Sequence, residues 1–185
     1  MYFQFSDFYK RDVYFGYSDD KNDVPQYDFT EGIKIETSSV LLYEVDKIDS
    51  YIKSYDLLPT FDPPLVSDRF KKLFTDLQGS ELDFFTAKII DTKGKNEDGF
   101  YALNILHKIP CLDRQRSITQ KTSYGTLKIK KLFIVPNSLG SKSIVRMEEH
   151  QSYIIATEEF KRRCEDAGLR GIEFVPEGNS IYTDL

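Results

Sequence analysis

One short pattern occurs twice in this chain and narrows what it can fold into. Leu65-Val66-Ser67-Asp68-Arg69-Phe70-Lys71-Lys72 is matched by Ile154-Ile155-Ala156-Thr157-Glu158-Glu159-Phe160-Lys161-Arg162. Each copy has an apolar lead-in, a hydroxyl residue suited to cap a helix, an acidic first turn, a phenylalanine and a basic pair. Each is followed by a glycine, Gly79 or Gly168, and then by an apolar run, Leu82-Asp83-Phe84 or Ile172-Glu173-Phe174. This spacing predicts two strand–helix–strand elements, with helices over Asp68 to Leu77 and Glu158 to Ala167. The pattern reads as a duplication, although any capped amphipathic helix shares most of these features. The unit is too short to imply a solenoid.

Between the copies the chain reads mainly as strand. Tyr2 to Tyr9, Val13 to Tyr17, Ile33 to Ile35, Leu82 to Ile90, Tyr101 to Ile109, Leu127 to Ile134, Ile144-Val145 and Tyr153 to Ile155 are short runs of aromatic, aliphatic and β-branched residues, punctuated by Gly, Pro and polar clusters. Lys93 to Gly99 reads as a hairpin loop and Asp113 to Gly125 as a polar connection. The stretch Val40 to Tyr55 is ambiguous. Leu41, Leu42, Val45, Ile48 and Ile52 fit a helical stripe, with a third helix over Asp46 to Tyr55, but Val40 to Val45 also fits a strand. The expected class is α+β: mainly antiparallel sheet with two or three short helices. One domain over residues 1–185 is expected, with an acidic, aromatic-rich part at 1–60 and a core at 61–177.

Composition fits a folded chain. Of 185 residues, 40% are hydrophobic, and 14 Phe and 12 Tyr supply an aromatic core. No apolar run approaches the roughly 18 residues that a membrane span needs. The first residues lack the basic start and long apolar stretch of a signal peptide. Two cysteines, Cys111 and Cys164, match no disulfide framework or zinc spacing, which suits a cytoplasmic location. Charge is uneven. Residues 1–62 hold 13 acidic against 6 basic groups, a balance of −7, whereas the whole chain carries −5. That asymmetry suits either a basic partner or a merely solvated face.

A catalytic constellation is not evident. His107 is expected on the apolar face of a strand as a structural residue, and His150 in an exposed charged loop. Asp19, Asp20, Asn22 and Asp23 lack the central Gly and distal Glu of a calcium loop, and no metal or cofactor is expected. The basic stretch 108–131 holds Lys108, Arg114, Arg116, Lys121, Lys128, Lys130 and Lys131, with Tyr124 among them. Such a mixture can bind single-stranded nucleic acid, but alternate lysines also mark the solvent side of a strand. The acidic balance argues against nucleic acid as a partner.

Four segments carry a family resemblance: Asp28-Phe29-Thr30-Glu31-Gly32; Leu65 to Leu73 with the strand Leu82 to Ile90; Tyr101-Ala102-Leu103-Asn104-Ile105 with Cys111-Leu112-Asp113 and Ser117; and Tyr153 to Lys161 with Gly168-Leu169-Arg170-Gly171-Ile172-Glu173-Phe174. In these the chain resembles the immunity protein 11 family, first described as a domain of unknown function. The resemblance spans roughly residues 29–176. It implies a bacterial α+β protein, encoded beside a toxin, that binds and neutralises that toxin without catalysis. It transfers no binding residues, because such families diverge at the toxin-facing surface. From the residues alone, the expected contacts are Asp19, Asp20, Asp23, Asp28 and Glu31, with Tyr14, Tyr17 and Tyr27 as anchors, and the expected toxin is basic. An enzyme using His107 and a nucleic-acid-linked regulator using 108–131 remain the alternatives. A membrane partner is not expected.

Overall fold

In the computed structural model, which describes residues 1–121, 123, 125 and 127–179, the short apolar runs become thirteen strands. In chain order these are β1 (Tyr2–Asp7), β2 (Gly16–Tyr17), β3 (Leu41–Val45), β4 (Leu57–Leu58), β5 (Leu65–Ser67), β6 (Leu82–Asp91) and β7 (Asn96–Ile105). They continue as β8 (Lys108–Ile109), β9 (Ile118–Lys121), β10 (Leu127–Lys131), β11 (Ile144–Met147), β12 (Ile154–Thr157) and β13 (Ile172–Pro176). Two α-helices, α1 (Asp68–Leu73) and α2 (Glu158–Asp166), follow β5 and β12, and 3-10 turns lie at Gln26–Thr30, Ile52–Ser54 and Thr75–Leu77. The α+β class stands.

The strands form two sheets and a ribbon. One sheet runs β13-β1-β12-β11-β8, the other β2-β3-β6-β7-β5-β4, and β9 and β10 pair by themselves. Most pairs are antiparallel; β3 with β6 and β8 with β11 are parallel. The two similar sequence units occupy equivalent places. β5 and β6 both run antiparallel to β7, which lies between them. β12 and β13 both run antiparallel to β1, which lies between them. Each unit is therefore a split crossover: two mutually parallel strands joined through a helix, with a third strand inserted.

Pleating explains the layers. Adjacent residues on a strand point to opposite faces. Leu65 enters a core with Phe29, Tyr43 and Ile89, whereas Val66 enters a second core with Phe70, Phe74 and Phe160. In the other sheet Ile154 enters the second core and Ile155 a third, with Met147, Tyr153 and Ile134. The second core is where both sheets and both helices meet. The Phe74 and Phe160 rings stack there at 4.2 Å, nearly parallel, and the Phe5 ring meets Phe160 edge-on at 6.1 Å. Burying each such ring is worth about 2–3 kcal/mol.

The helices also cap one another. Arg69 of α1 donates to the carbonyls of Ala167 and Gly168, at the end of α2. Arg163 of α2 donates to the Leu73 carbonyl, at the end of α1, and pairs with Asp76. These arginines satisfy carbonyls that a helix end leaves free. Both expected N-caps form: Ser67 Oγ accepts from Phe70 N at 3.2 Å, and Thr157 Oγ1 from Phe160 N at 3.3 Å. Ser67 Oγ also donates to the buried Asp56 carboxylate at 2.5 Å. Thr157→Ala is expected to cost about 1 kcal/mol, and Ser67→Ala about 2 kcal/mol because it strips a donor from Asp56 as well. Equal denaturant midpoints for the two variants would contradict that ranking.

Glycine placement is equally specific. Gly168 and Gly171 both have positive φ, but only Gly171 is crowded: a Cβ there would lie 2.6 Å from the Leu57 carbonyl oxygen. The backbone of 168–171 lies against β4, where Asp56 N and Leu57 N both donate to the Arg170 carbonyl. Gly171→Ala is expected to cost about 2–3 kcal/mol and Gly168→Ala about 1 kcal/mol. Thermal unfolding of the two variants checks the difference.

Several sequence expectations are corrected. The stretch Val40 to Tyr55 does not form a helix; Leu41, Tyr43 and Val45 alternate into the core as β3, and only Ile52–Ser54 turns as a short 3-10 segment. Ile33 to Ile35 is not a strand, because Ile33 and Lys34 face solvent without a pairing partner. The run Val13 to Tyr17 shortens to β2. Residues 113–125, expected to be a connection, contain β9. The hairpin loop ends at Lys95, since the Asp91 carboxylate accepts from Lys93 N and Lys95 N and closes the turn early. His107 lies between β7 and β8, half-buried, rather than on an apolar strand face.

Candidate functional site

The segment between β1 and β3 forms an outer layer packed against the core of the larger sheet. Phe15, Val24 and Phe29 anchor it in the core. The expected contact residues separate into two groups. Asp19, Asp23, Glu31 and Tyr17 hold the layer together. Asp19 Oδ1 accepts from Gln26 N at 2.7 Å. Asp23 accepts from the hydroxyls of Ser39 and Thr37, which hold its carboxyl below the usual range. Tyr17 Oη donates to the Val24 carbonyl at 2.6 Å, and its ring lies edge-on to Tyr43. Glu31 accepts from Lys108 Nζ at 2.6 Å and from the Gln151 amide at 3.0 Å, and the Lys108 bond lowers its carboxyl. Gly32 next to it is required, because a Cβ would lie 2.6 Å from Lys108 N.

Asp20, Asp28, Tyr14 and Tyr27 form the second group, turned outward or partly so. Tyr27 is 62% exposed and Tyr14 is 51% exposed. Tyr14 stacks on Phe61, which is 75% exposed, with ring centroids 4.8 Å apart and planes within 10°. Phe61 comes from the loop between β4 and β5, far from Tyr14 in sequence, so the pair was not visible in the residue pattern.

This aromatic ridge separates two clefts. On one side a cleft of about 530 Å³ is lined by Tyr14, Phe61, Asp12, Glu44, Asp46 and Asp91. On the other, a cleft of about 450 Å³ is lined by Tyr14, Phe61, Asp7, Asp62, Leu58 and Ser152, among others. Neither has a lysine or arginine in its lining. Asp91 is committed to its turn and Glu44 to Lys21, whereas Asp12 and Asp46 have no cationic partner among the described residues.

Beneath the second cleft lies a buried polar chain. Arg146 of β11 is fully buried and pairs with Asp62 at 2.9 Å. Arg146 also donates to the Gln151 carbonyl at 2.6 Å, Gln151 reaches Glu31, and the Gln26 amide donates to the Asp62 carbonyl at 2.6 Å. Burial raises the Asp62 carboxyl, with Arg146 acting in the opposite direction. The network joins the outer layer to both sheets.

The remaining candidates for chemistry are occupied structurally. His107 Nε2 lies 2.8 Å from the Ser80 carbonyl. Cys111 and Cys164 are buried, and burial pushes both thiols up to about 12, leaving them as thiols at neutral pH. Among the described residues no three His, Cys, Asp or Glu side chains gather as a metal site, and no helix is long and apolar enough to cross a membrane. In the basic stretch, Lys121, Lys130 and Lys131 face solvent on the β9–β10 ribbon while Ile129 is buried; Lys108 and Arg116 are paired. Tyr124 lies outside the described residues.

Residues 22–179 of the 185 match the profile of the Immunity protein family (Imm11). The chain belongs to that family. A role in toxin immunity follows from membership. No curated protein matches the chain at a significant level. The family match covers the outer layer from residue 22 onward, both strand–helix–strand units and the ridge residue Phe61, but starts after β1, Tyr14, Phe15, Tyr17 and Asp19.

Proposed function

We propose that this Imm11 protein binds and neutralises a basic toxin domain produced by the same cell, in the cytoplasm and without catalysis or a cofactor. Family membership supports the immunity role. The observation that carries the choice of surface is the Tyr14–Phe61 stack, exposed between two clefts without basic lining. Large rigid aromatics bind at low conformational cost, and surrounding acids steer a basic partner.

In this reading Tyr14, Phe61, Tyr27, Asp20 and Asp28 meet the toxin together with Asp12 and Asp46. Asp19, Asp23, Glu31 and Tyr17 position the layer that carries them. A stack whose two halves come from different segments requires the folded layer, so the surface is preorganised rather than assembled on binding. Neutralisation would follow from occlusion or distortion of the toxin. Neither a membrane nor nucleic acid is needed. Co-expression with the toxin-like protein encoded next to it, followed by co-purification, tests the reading. Absence of a complex with any co-encoded protein would remove it.

A further inference from the structure

We propose that the cleft between the Tyr14–Phe61 ridge and the two sheets is a socket for an arginine side chain on the partner's surface. This rests on the toxin-binding reading and specifies one contact within it.

The socket is lined from both sheets. Asp7 ends β1 of the smaller sheet, Asp62 precedes β5 of the larger one, and Ser152 precedes β12. Leu57, Leu58 and Ile154 supply apolar wall, and Tyr14 and Phe61 form the rim. Asp62 is already neutralised from behind by Arg146. Asp7 is not: it pairs with no cation among the described residues, and the charge acting on it is another acid, Glu173 of β13. Burial raises the Asp7 carboxyl, a hydrogen bond from its own backbone opposes that in part, and Glu173 adds to the rise.

These features suit one ligand chemistry. An uncharged apolar side chain would leave the Asp7 charge stranded against low-dielectric wall. An anion would be repelled by Asp7 and Glu173. A long cationic side chain fits, because its methylenes cover apolar wall while its head meets the carboxylate. Arginine suits the rim better than lysine, since a planar guanidinium can stack on Tyr14 and Phe61 and bond a carboxylate with two donors.

A half-buried carboxylate with no cationic partner among the described residues is a cost to the free protein. Above its raised folded pKa the ionised form is disfavoured relative to the unfolded chain; below the unfolded value, roughly 4, both states are protonated and the cost disappears. Asp7→Asn is therefore expected to unfold at higher denaturant than the parent at pH 7, with the gap closing as pH falls toward 4. A residue that weakens its own fold while serving an external contact is the pattern expected of a binding group.

The binding test needs no toxin. The labelled protein is titrated with Nα-acetyl-arginine methylamide and with its neutral citrulline counterpart, and amide shifts are followed by NMR. Saturable shifts at Ser6, Asp7, Phe61, Asp62 and Ser152 are expected with the arginine probe, with binding about tenfold or more weaker in Asp7→Asn. An equal response to both probes, shifts centred elsewhere, or unchanged binding by Asp7→Asn would overturn the socket. If the probe fails while the co-encoded toxin still co-purifies, only the socket falls. If the probe titrates the socket while no co-encoded protein binds, the site stands and the toxin-binding reading falls.

Discussion

Arg146→Met is expected to destabilise the protein by about 3–5 kcal/mol, because it leaves Asp62 ionised and nearly buried with no counter-charge. The geometry makes the effect large. Arg146 projects from β11 of the smaller sheet with no exposed side-chain surface, and Asp62 lies in the loop before β5 of the larger sheet. Their 2.9 Å contact thus links elements that share no strand pairing. Losing the guanidinium also frees the Gln151 carbonyl, which accepts from it at 2.6 Å.

The pH dependence gives this prediction its sign. Burial already raises the Asp62 carboxyl in the parent protein. Without Arg146 it rises further, so the variant carries its full deficit above the new folded pKa and loses it as pH falls below the unfolded value, roughly 4. Denaturant midpoints of parent and variant should therefore be widely separated at pH 7 and converge near pH 4. Asp62→Asn combined with Arg146→Met should cost less than the sum of the two single changes, since it removes the stranded charge. A constant gap across that pH range would mean that Arg146 acts through packing alone.

The parts of this fold legible in the sequence were those set by local chemistry. Caps, acidic first turns, glycine stops and apolar outgoing strands are neighbours in the chain, so the two helices and the strand–helix–strand order of each unit followed from one repeated pattern. The third strand lying between each unit's two strands comes from outside the unit and did not. The segments that carried the family resemblance prove to be structural for the same reason. Phe29 fills the first core, Gly32 and Gly171 occupy sites too tight for a Cβ, and Ser117 exchanges hydrogen bonds with both backbone groups of Phe133. What remained hidden depends on distance in sequence. Nothing local to Leu41–Val45 distinguishes a strand from a helix until it pairs with β6, about forty residues later. Nothing local to Asp19, Asp23 or Glu31 shows that hydroxyls, a backbone N–H and Lys108 already engage them. Phe61 and Asp7 were missed because the ridge and its clefts assemble from separated segments. The signal present in the sequence was an exposed-looking Phe between Pro59 and Pro63, where the backbone has no regular pairing to make.

The largest functional effect is expected from the ridge. Tyr14→Ala combined with Phe61→Ala should accelerate dissociation from the co-encoded toxin about 30-fold or more, equivalent to about 2 kcal/mol, and leave association nearly unchanged. Short-range aromatic contacts form after encounter and therefore govern escape. Reversing Asp12 and Asp46 to Lys should do the opposite. It should slow association about tenfold at low salt and flatten the salt dependence, because these carboxylates flank the ridge with no cationic partner among the described residues and act at long range. The contrast with Asp19 and Asp23 separates this surface from the loop beside it. Reversing those two would break bonds to Gln26, Thr37 and Ser39, so its first consequence should be lower stability rather than slower association. Tyr14 and Phe61 are both more than half exposed, so their removal should barely move the denaturant midpoint. Surface kinetics at two salt concentrations, measured beside a denaturation curve for each variant, resolve the three cases. Unchanged dissociation in a fully folded Tyr14→Ala/Phe61→Ala protein would place the toxin elsewhere on the molecule.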